Sequence, residues 1–129
     1  MAVEVPGFVL GILNANADLS AKQYHCMKLA NNSGVAEVAV CTAAGEKIIG
    51  ILQDKPSAQG AVATLVTQGV TKASAGAAIT AGALVMTDAN GQVITAATAG
   101  STIIGWALES AGGANELVTI MLQPAYGVV

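Results

Sequence analysis

Residues Gly69 to Ala96 read GVTKASAGAAITAGALVMTDANGQVITA, and they carry the clearest local structural signal in the chain. An apolar run, Ala83 to Met86, precedes Asp88-Ala89-Asn90-Gly91, and a second β-prone run, Gln92 to Thr95, follows. Asn-Gly between two such runs is the strongest short-range hairpin signal, because a type I′ turn needs positive φ at both central residues. The stretch therefore predicts a β-hairpin with its turn at Asn90-Gly91.

Short β-prone runs recur on both sides of this hairpin, separated by turns rich in glycine, asparagine or proline. The predicted strands are 24–30, 35–41, 47–53, 61–66, 83–86, 92–95, 101–108 and 116–123. About eight short strands at this spacing are typical of an all-β sandwich or barrel. Alanine and glycine supply much of the apolar content, so we expect a compact barrel or sandwich with small core side chains.

A weak internal repeat relates two parts of the chain. Ile48-Ile49-Gly50 and Ile103-Ile104-Gly105 are separated by 55 residues. The same offset matches Thr64 with Thr119, Leu65 with Ile120 and Gln68 with Gln123. Upstream, Val40-Cys41-Thr42 and Gly45 resemble Val85-Met86-Thr87 and Gly91. This pattern is consistent with two similar β-units, in which Gly50 and Gly105 mark equivalent bends or close approaches within strands.

The sequence divides into an N-terminal segment, 1–16, a single β-domain, 17–123, and a C-terminal tail, 124–129. The N-terminal segment is apolar, but Pro6, Gly7 and Gly11 interrupt any regular element. It has two interpretations: an edge strand packed on the chain's own core, or an extended arm that adds to the sheet of a neighbouring molecule.

Composition and charge argue against several classes of function. The chain has 5 basic and 8 acidic residues with a net charge of −3, and its lysines are scattered, which disfavours nucleic-acid binding. No apolar run has the length of a membrane span, and the N-terminus shows no secretory signal. Only 10 % of the residues are charged, which suggests that a partner covers part of the surface. Cys26 and Cys41 are expected to be reduced and buried, as is usual in the cytosol.

The sequence shows no catalytic, cofactor or metal motif. His25 is the only histidine, and it has no recognisable catalytic partner. The carboxylates are isolated from one another, and Asp88-Ala89-Asn90-Gly91 is explained by turn geometry rather than by calcium binding. No glycine-rich phosphate loop occurs. We therefore expect no enzymatic activity.

The stretch Gly69 to Ala96, followed by Ile103-Ile104-Gly105-Trp106-Ala107-Leu108-Glu109, resembles the small capsid decoration (cement) proteins of tailed bacteriophages. Those proteins repeat a phrase of the form Gly-Val, Ala-Gly-x-x-Ile-x-Ala-Gly-x-x-Val, Thr-Asp-x-x-Gly and close with Ile-Gly-x-Ala-Leu-Glu. The resemblance covers roughly Ala17 to Leu122. The long N-terminal lead of this chain departs from the simplest pattern of the family.

The resemblance implies a protein made in the bacterial cytoplasm that binds the outside of the phage head. It would act as a trimer that holds neighbouring major capsid subunits together. The candidate capsid-binding residues are those of the apolar ends: Val3, Val5, Phe8, Val9, Leu10, Ile12, Leu13 and Tyr126. Two alternatives remain, another phage structural module of the tail or baseplate, and a β-barrel that binds a carbohydrate or small ligand. The second needs an aromatic pocket, and only 3 % of the residues are aromatic.

Overall fold

The computed structural model describes the backbone of residues 5–129 and the side chains of residues 8–123 and 127–129. In this part of the chain no helix is long and apolar enough to cross a membrane. The described residues form nine strands: β1 (Val5–Ala15), β2 (Cys26–Asn32), β3 (Val35–Val40), β4 (Gly50–Leu52), β5 (Val62–Ser74), β6 (Leu84–Thr87), β7 (Val93–Thr95), β8 (Thr102–Ala107) and β9 (Leu117–Val128). The all-β architecture predicted from the sequence is confirmed.

The first five strands close into a barrel in the order β1-β3-β2-β4-β5, because β1 also pairs with β5. The β1–β5 ladder is long and antiparallel, whereas β1 meets β3 in a short parallel contact at Asn14 and Ala15. Small and medium side chains fill the interior, as the alanine-rich composition predicts. This core consists of Ala15, Leu19, Met27, Val38, Leu52, Ala63 and Leu65.

The remaining strands continue from β5 in the order β9-β8-β6-β7. Val93 of β7 forms an isolated parallel bridge with Ala75, which directly follows β5. This bridge connects β7, the last strand in the order, back to the end of β5. Strand β5 is therefore shared: its Leu65 and Val66 pair with both β1 and β4, and its Gly69 and Val70 pair with both β1 and β9. Two strand rings thus lie side by side and share β5, each with its own apolar interior.

The two rings confirm the internal repeat and the offset that relates Gly50 to Gly105. Ile51 faces Val66 between β4 and β5, and at the same offset Trp106 and Met121 face each other between β8 and β9. The glycine prediction is also confirmed, because Gly50 and Gly105 lie against the carbonyl oxygens of Val66 and Met121. The core residues of the first ring correspond, in order, to Ala75, Ile79, Val85, Val93, Ala107, Val118 and Ile120, all buried in the second.

Backbone details follow the same correspondence. Gly60 and Asn115 both have positive φ, and their N–H groups donate to the equivalent carbonyls of Ala15 and Ala75.

The upstream match drawn from sequence is wrong, however. In the structure Val40 corresponds to Thr95. Met27 pairs with Val40 between β2 and β3, and in the second ring Val85 pairs with Thr95 between β6 and β7. Strand β2 therefore corresponds to β6, with Met27 equivalent to Val85. The hairpin of the second ring is shorter than that of the first, so no single offset aligns both of its strands. This difference in length obscured the alignment.

The hairpin predicted from residues 83–95 exists, but its turn differs from the prediction. β6 and β7 pair antiparallel, yet only Gly91, not Asn90, has positive φ. The Asp88 carboxylate accepts hydrogen bonds from the backbone N–H groups of Asn90 and Gln92, at 2.8 and 2.9 Å. This side-chain bonding stabilises a wider loop than the type I′ turn. A two-residue turn with positive φ at both centres occurs instead at Ser33-Gly34, between β2 and β3.

Two strands are longer than the local patterns indicated. β5 continues through Ser74, although glycine and polar residues after Val66 gave little strand signal. β9 continues to Val128 and so includes most of the predicted tail, while β1 includes most of the predicted N-terminal segment. Pairing with a neighbouring ladder holds these segments extended despite their interrupted patterns.

Candidate interaction surface

Strand β1 places large apolar side chains in solvent. Ile12 is 81 % exposed, Phe8 63 % and Val9 58 %. Among the described residues, β2, β3, β5 and β6 each expose one large apolar side chain and β9 exposes two, so β1 exposes the most. Several exposed apolar side chains grouped on one strand are typical of a site of contact with another molecule.

The other candidate residues, from both ends of the chain, fall into two groups. Leu10 and Leu13 are half-buried, and Leu13 packs against the core of the first ring. Val3 and the side chains of Val5 and Tyr126 lie outside the described residues. The assignment of these residues to capsid binding stays a prediction, and the register of the β1–β5 ladder decides which of the β1 side chains face solvent.

β1 also exposes one side of its backbone. On the β5 side its pairs run from Val5↔Val70 to Asn14↔Val62, interrupted by irregularities in register. On the other side, among the described residues, pairing with β3 is confined to Asn14 and Ala15. The sequence of β1, VPGFVLGILNA, contains no charged residue. Charged side chains commonly protect exposed strand edges from pairing with other chains, so this edge lacks a usual form of protection.

Val62 extends this surface and was not identified from the sequence. It is 58 % exposed and lies directly opposite Asn14 on β5. In the sequence Val62 belongs to a mainly apolar run, Ala61 to Val66. The alternation within this run does not indicate that its solvent-facing residues lie next to β1. We name Phe8, Val9, Ile12 and Val62 the β1 surface.

Cysteine and histidine side chains could in principle take part in chemistry, and those of this chain lie in buried or partly buried environments. Burial raises the pKa of the Cys41 thiol to about 12 and raises that of Cys26 strongly, and both are free thiols. Burial lowers the pKa of His25, whose Nδ1 lies 3.1 Å from the Gln23 carbonyl oxygen. Among the described residues, no three potential metal ligands cluster.

A group of polar contacts lies at the turn between β3 and β4. The Glu46 carboxylate accepts the N–H groups of Thr42, at 2.7 Å, and Ala43, at 3.1 Å, and lies 3.6 Å from the Lys28 ammonium. Burial acts to raise the pKa of Glu46, but these bonds outweigh it, so the pKa is lowered. The carboxylate thus remains ionised and holds the turn in place.

Two strand rings that share one strand and carry an uncharged apolar edge define a small β-barrel module suited to contact with another protein. A family model described as phage cement protein matches residues 19–122. This match spans well over half of the chain, and the chain belongs to the phage cement protein family.

Among solved structures, the chain is similar to the N base of the head fiber gp8.5 in bacteriophage phi29, with a TM-score of 0.72 and 16 % sequence identity. The alignment covers 90 % of this chain and 95 % of that chain, and at this identity it shows a shared fold alone. No curated protein matches the sequence significantly.

Proposed function

We propose that this protein is a capsid decoration protein that binds the outer surface of a phage head and bridges neighbouring major capsid subunits. Its membership of the phage cement protein family supports a structural role associated with the phage head. The observation that carries the finer proposal is the β1 surface, with its exposed Phe8, Val9 and Ile12 beside an open strand edge. The strand edge offers main-chain hydrogen bonds to an extended segment of a capsid subunit, and the apolar side chains offer area to bury.

The proposed assembly is a homotrimer near local symmetry axes of the head, made in the cytoplasm of the bacterial host. A trimer would present three β1 surfaces at once, so binding of the first makes binding of the others intramolecular. A ligand that binds only the assembled shell stabilises it by RT ln(1 + [L]/Kd), about 2.7 kcal/mol per site at a hundredfold excess over Kd. Repeated over many sites, this free energy would oppose the pressure of packaged DNA.

The test is co-sedimentation of the purified protein with expanded, undecorated heads of its own phage, together with its mass by light scattering. We expect saturable binding and heads that resist heat better once decorated. Ile12→Ser and Phe8→Ser should each weaken binding by roughly 10- to 150-fold, since burying such a side chain contributes about 1.5–3 kcal/mol. Leu108→Ser is the matched control, because Leu108 is also an exposed apolar residue but lies outside the β1 surface.

A protein that remains free at micromolar concentration beside intact heads would contradict capsid binding. Equal weakening by Leu108→Ser and Ile12→Ser would contradict the assignment to the β1 surface but not capsid binding itself. If the protein is a monomer or dimer in solution and remains one when bound to the head, only the proposed trimeric state is contradicted.

A further inference from the structure

The turn between β3 and β4 inserts into the second ring. The N–H of Gly45 donates to the carbonyl of Thr87 at 2.8 Å, and the N–H of Thr102 donates to the carbonyl of Gly45 at 2.9 Å. Gly45 therefore bridges β6 and β8 where these strands diverge. It is buried, its φ is +74°, and a Cβ there would overlap the Ser101 side chain. We name Thr42–Glu46 the Gly45 plug, and only glycine fits at its centre.

The internal repeat locates the equivalent place in the first ring. Met27 corresponds to Val85 and Gly50 to Gly105, because each pair of residues faces the other in its own ring. Counting along the strands from these matches relates Thr87 to Leu29 and Thr102 to Lys47.

Leu29 and Lys47 border a cavity of about 460 Å³ between β2 and the segment that leads into β4. We name this cavity the Leu29 slot. It is lined by Lys28, Leu29, Glu46, Lys47, Ile48 and Ile49. The first ring therefore has an open cavity at the place where the second ring holds the Gly45 plug.

The Leu29 slot presents backbone groups in the same arrangement as the plugged site. Ile49 N–H donates to the carbonyl of Met27 at 2.8 Å, so Met27 directs its polar backbone groups toward β4. Alternation along a strand places the backbone groups of Leu29 on that same side. Within the described part of the chain, neither the Leu29 carbonyl nor the Lys47 N–H has a backbone hydrogen-bond partner there. The slot thus offers one acceptor and one donor, as Thr87 and Thr102 do to Gly45.

The charge of the Leu29 slot differs from that of the plugged site. Lys28 and Lys47 stand where the second ring has Met86 and Thr102. Lys28 is already engaged, since it donates to the Thr42 hydroxyl at 2.7 Å and lies near Glu46. Lys47 is exposed and joins no ion pair among the described residues. A carboxylate beside the bound segment would therefore complement the slot.

We propose that the Leu29 slot binds a glycine-centred turn of another protein, flanked by a carboxylate that pairs with Lys47. The turn would donate an N–H to Leu29 and accept one from Lys47, as the Gly45 plug does in the second ring. A second copy of this chain is a poorer occupant. Its equivalent turn, at Gly100, is followed by Ser101 where the Gly45 plug has Glu46, and the Gly100 N–H already donates to the main-chain oxygen of Val129 at 2.9 Å. This site is separate from the β1 surface.

A cyclic peptide that contains Thr-Ala-Ala-Gly-Glu, the sequence of the Gly45 plug, is the probe. It is titrated into the full-length ¹⁵N-labelled protein, and backbone amide shifts are followed by NMR. We expect saturable shifts at Leu29 and at residues 47–49. A peptide with alanine in place of glycine should bind roughly tenfold more weakly, because positive φ costs a non-glycine residue about 1–2 kcal/mol. Lys47→Glu should weaken binding several-fold, and Lys55→Glu, the same charge change at an exposed lysine outside the slot, should not.

Four outcomes would overturn the proposal. Shifts that fail to saturate at millimolar peptide, or that occur away from the slot, would show that it does not bind such a turn. Equal affinity for the glycine and alanine peptides would contradict the plug geometry, and equal effects of Lys47→Glu and Lys55→Glu would contradict the ion pair. Slot shifts that depend on protein concentration without peptide would show that the occupant is a second copy.

Discussion

The two rings of this protein have matching interiors but different surfaces. Both rings bury equivalent sets of side chains and place glycine against an opposing carbonyl at Gly50 and Gly105. In the second ring the leading strand, β5, has ladder partners on both sides at Leu65, Val66, Gly69 and Val70. In the first ring the leading strand, β1, is paired on both sides only near its end. The interior constrains the duplicated units to remain alike, and the free surface allows them to diverge.

The same contrast applies to the connections after β3 and β7. Gly45, at the tip of the plug, is buried against the second ring, whereas its counterpart Gly100 is exposed. Each turn keeps the same hydrogen bond, from Glu46 to Ala43 and from Ser101 to Thr98. The same type of turn therefore forms a contact between the rings at Gly45 and a surface loop at Gly100. The asymmetry leaves the first ring with both the β1 surface and the Leu29 slot.

The largest expected effect is at the paired close approaches. Gly105→Ala should destabilise the protein by about 4 kcal/mol, because its Cβ would overlap the Met121 carbonyl oxygen and the φ is +153°. Gly50→Ala should cost about 2 kcal/mol, since its Cβ would lie 2.5 Å from the Val66 carbonyl oxygen without unusual φ. Urea unfolding followed by the single tryptophan measures both. Gly11→Ala is the control, because a Cβ there would lie 3.9 Å from its nearest neighbouring atom. If Gly105→Ala destabilises the protein no more than Gly11→Ala does, the assignment of Gly50 and Gly105 as equivalent close approaches is contradicted.

The two turns give the next largest difference. Gly45→Ala should cost about 3 kcal/mol, from its positive φ and from overlap with the Ser101 side chain. Gly100→Ala has a similar φ but open space around it, so about 1 kcal/mol is expected. The measurement is again the free energy of unfolding in urea. Equal losses at the two positions would mean that the Gly45 plug is not held between the rings in solution.

A smaller effect is expected at the carboxylates that bind equivalent threonines. Glu109 accepts both the N–H and the hydroxyl of Thr119 at 2.9 Å, whereas Asp54 accepts the N–H of Thr64 at 3.2 Å. The Thr119 hydroxyl lowers the pKa of Glu109 below its ordinary 4.5, so its stabilisation is present above that pH and is lost as the pH falls through the lowered value. Glu109→Gln should flatten this acid dependence. Thermal unfolding of the variant and of the unaltered protein across acidic pH tests it, and identical profiles for the two proteins would contradict it.

The smallest expected effect concerns His25, whose counterpart in the second ring is the non-titrating Ala83. Burial lowers the pKa of His25, so the unfolded chain takes up the proton first as the pH falls below 6.5. Stability from this residue is complete above that pH and declines below it. His25→Gln should reduce the slope of stability against pH in that window only slightly, because the ring is partly exposed. Thermal unfolding between neutral and mildly acidic pH measures the slope, and a steeper slope in the variant would have the wrong sign for this explanation.

Local sequence patterns predicted the strands of this protein where turn chemistry and alternation agree. The hairpin of β2 and β3 and the hairpin of β6 and β7 were both predicted in this way. The turn at Asn90 was not, because the Asp88 carboxylate binds the loop N–H groups and removes the need for a type I′ turn. Residues after Val66 gave little strand signal, and they are extended because the β1 ladder up to Val70 and the β9 ladder up to Ser74 hold them.

The sequence alone determined the all-β class, the repeat that relates the two units and the close approaches at Gly50 and Gly105. These features depend on neighbouring residues or on direct comparison of the chain with itself. Only the tertiary structure decided that β5 is shared, that Phe8, Val9 and Ile12 face solvent while Leu13 packs inward, and that the Gly45 plug fills one ring and not the other. The physical reason is that strand pairing joins residues far apart in the chain, and a shift of one residue in register reverses which side chains are buried.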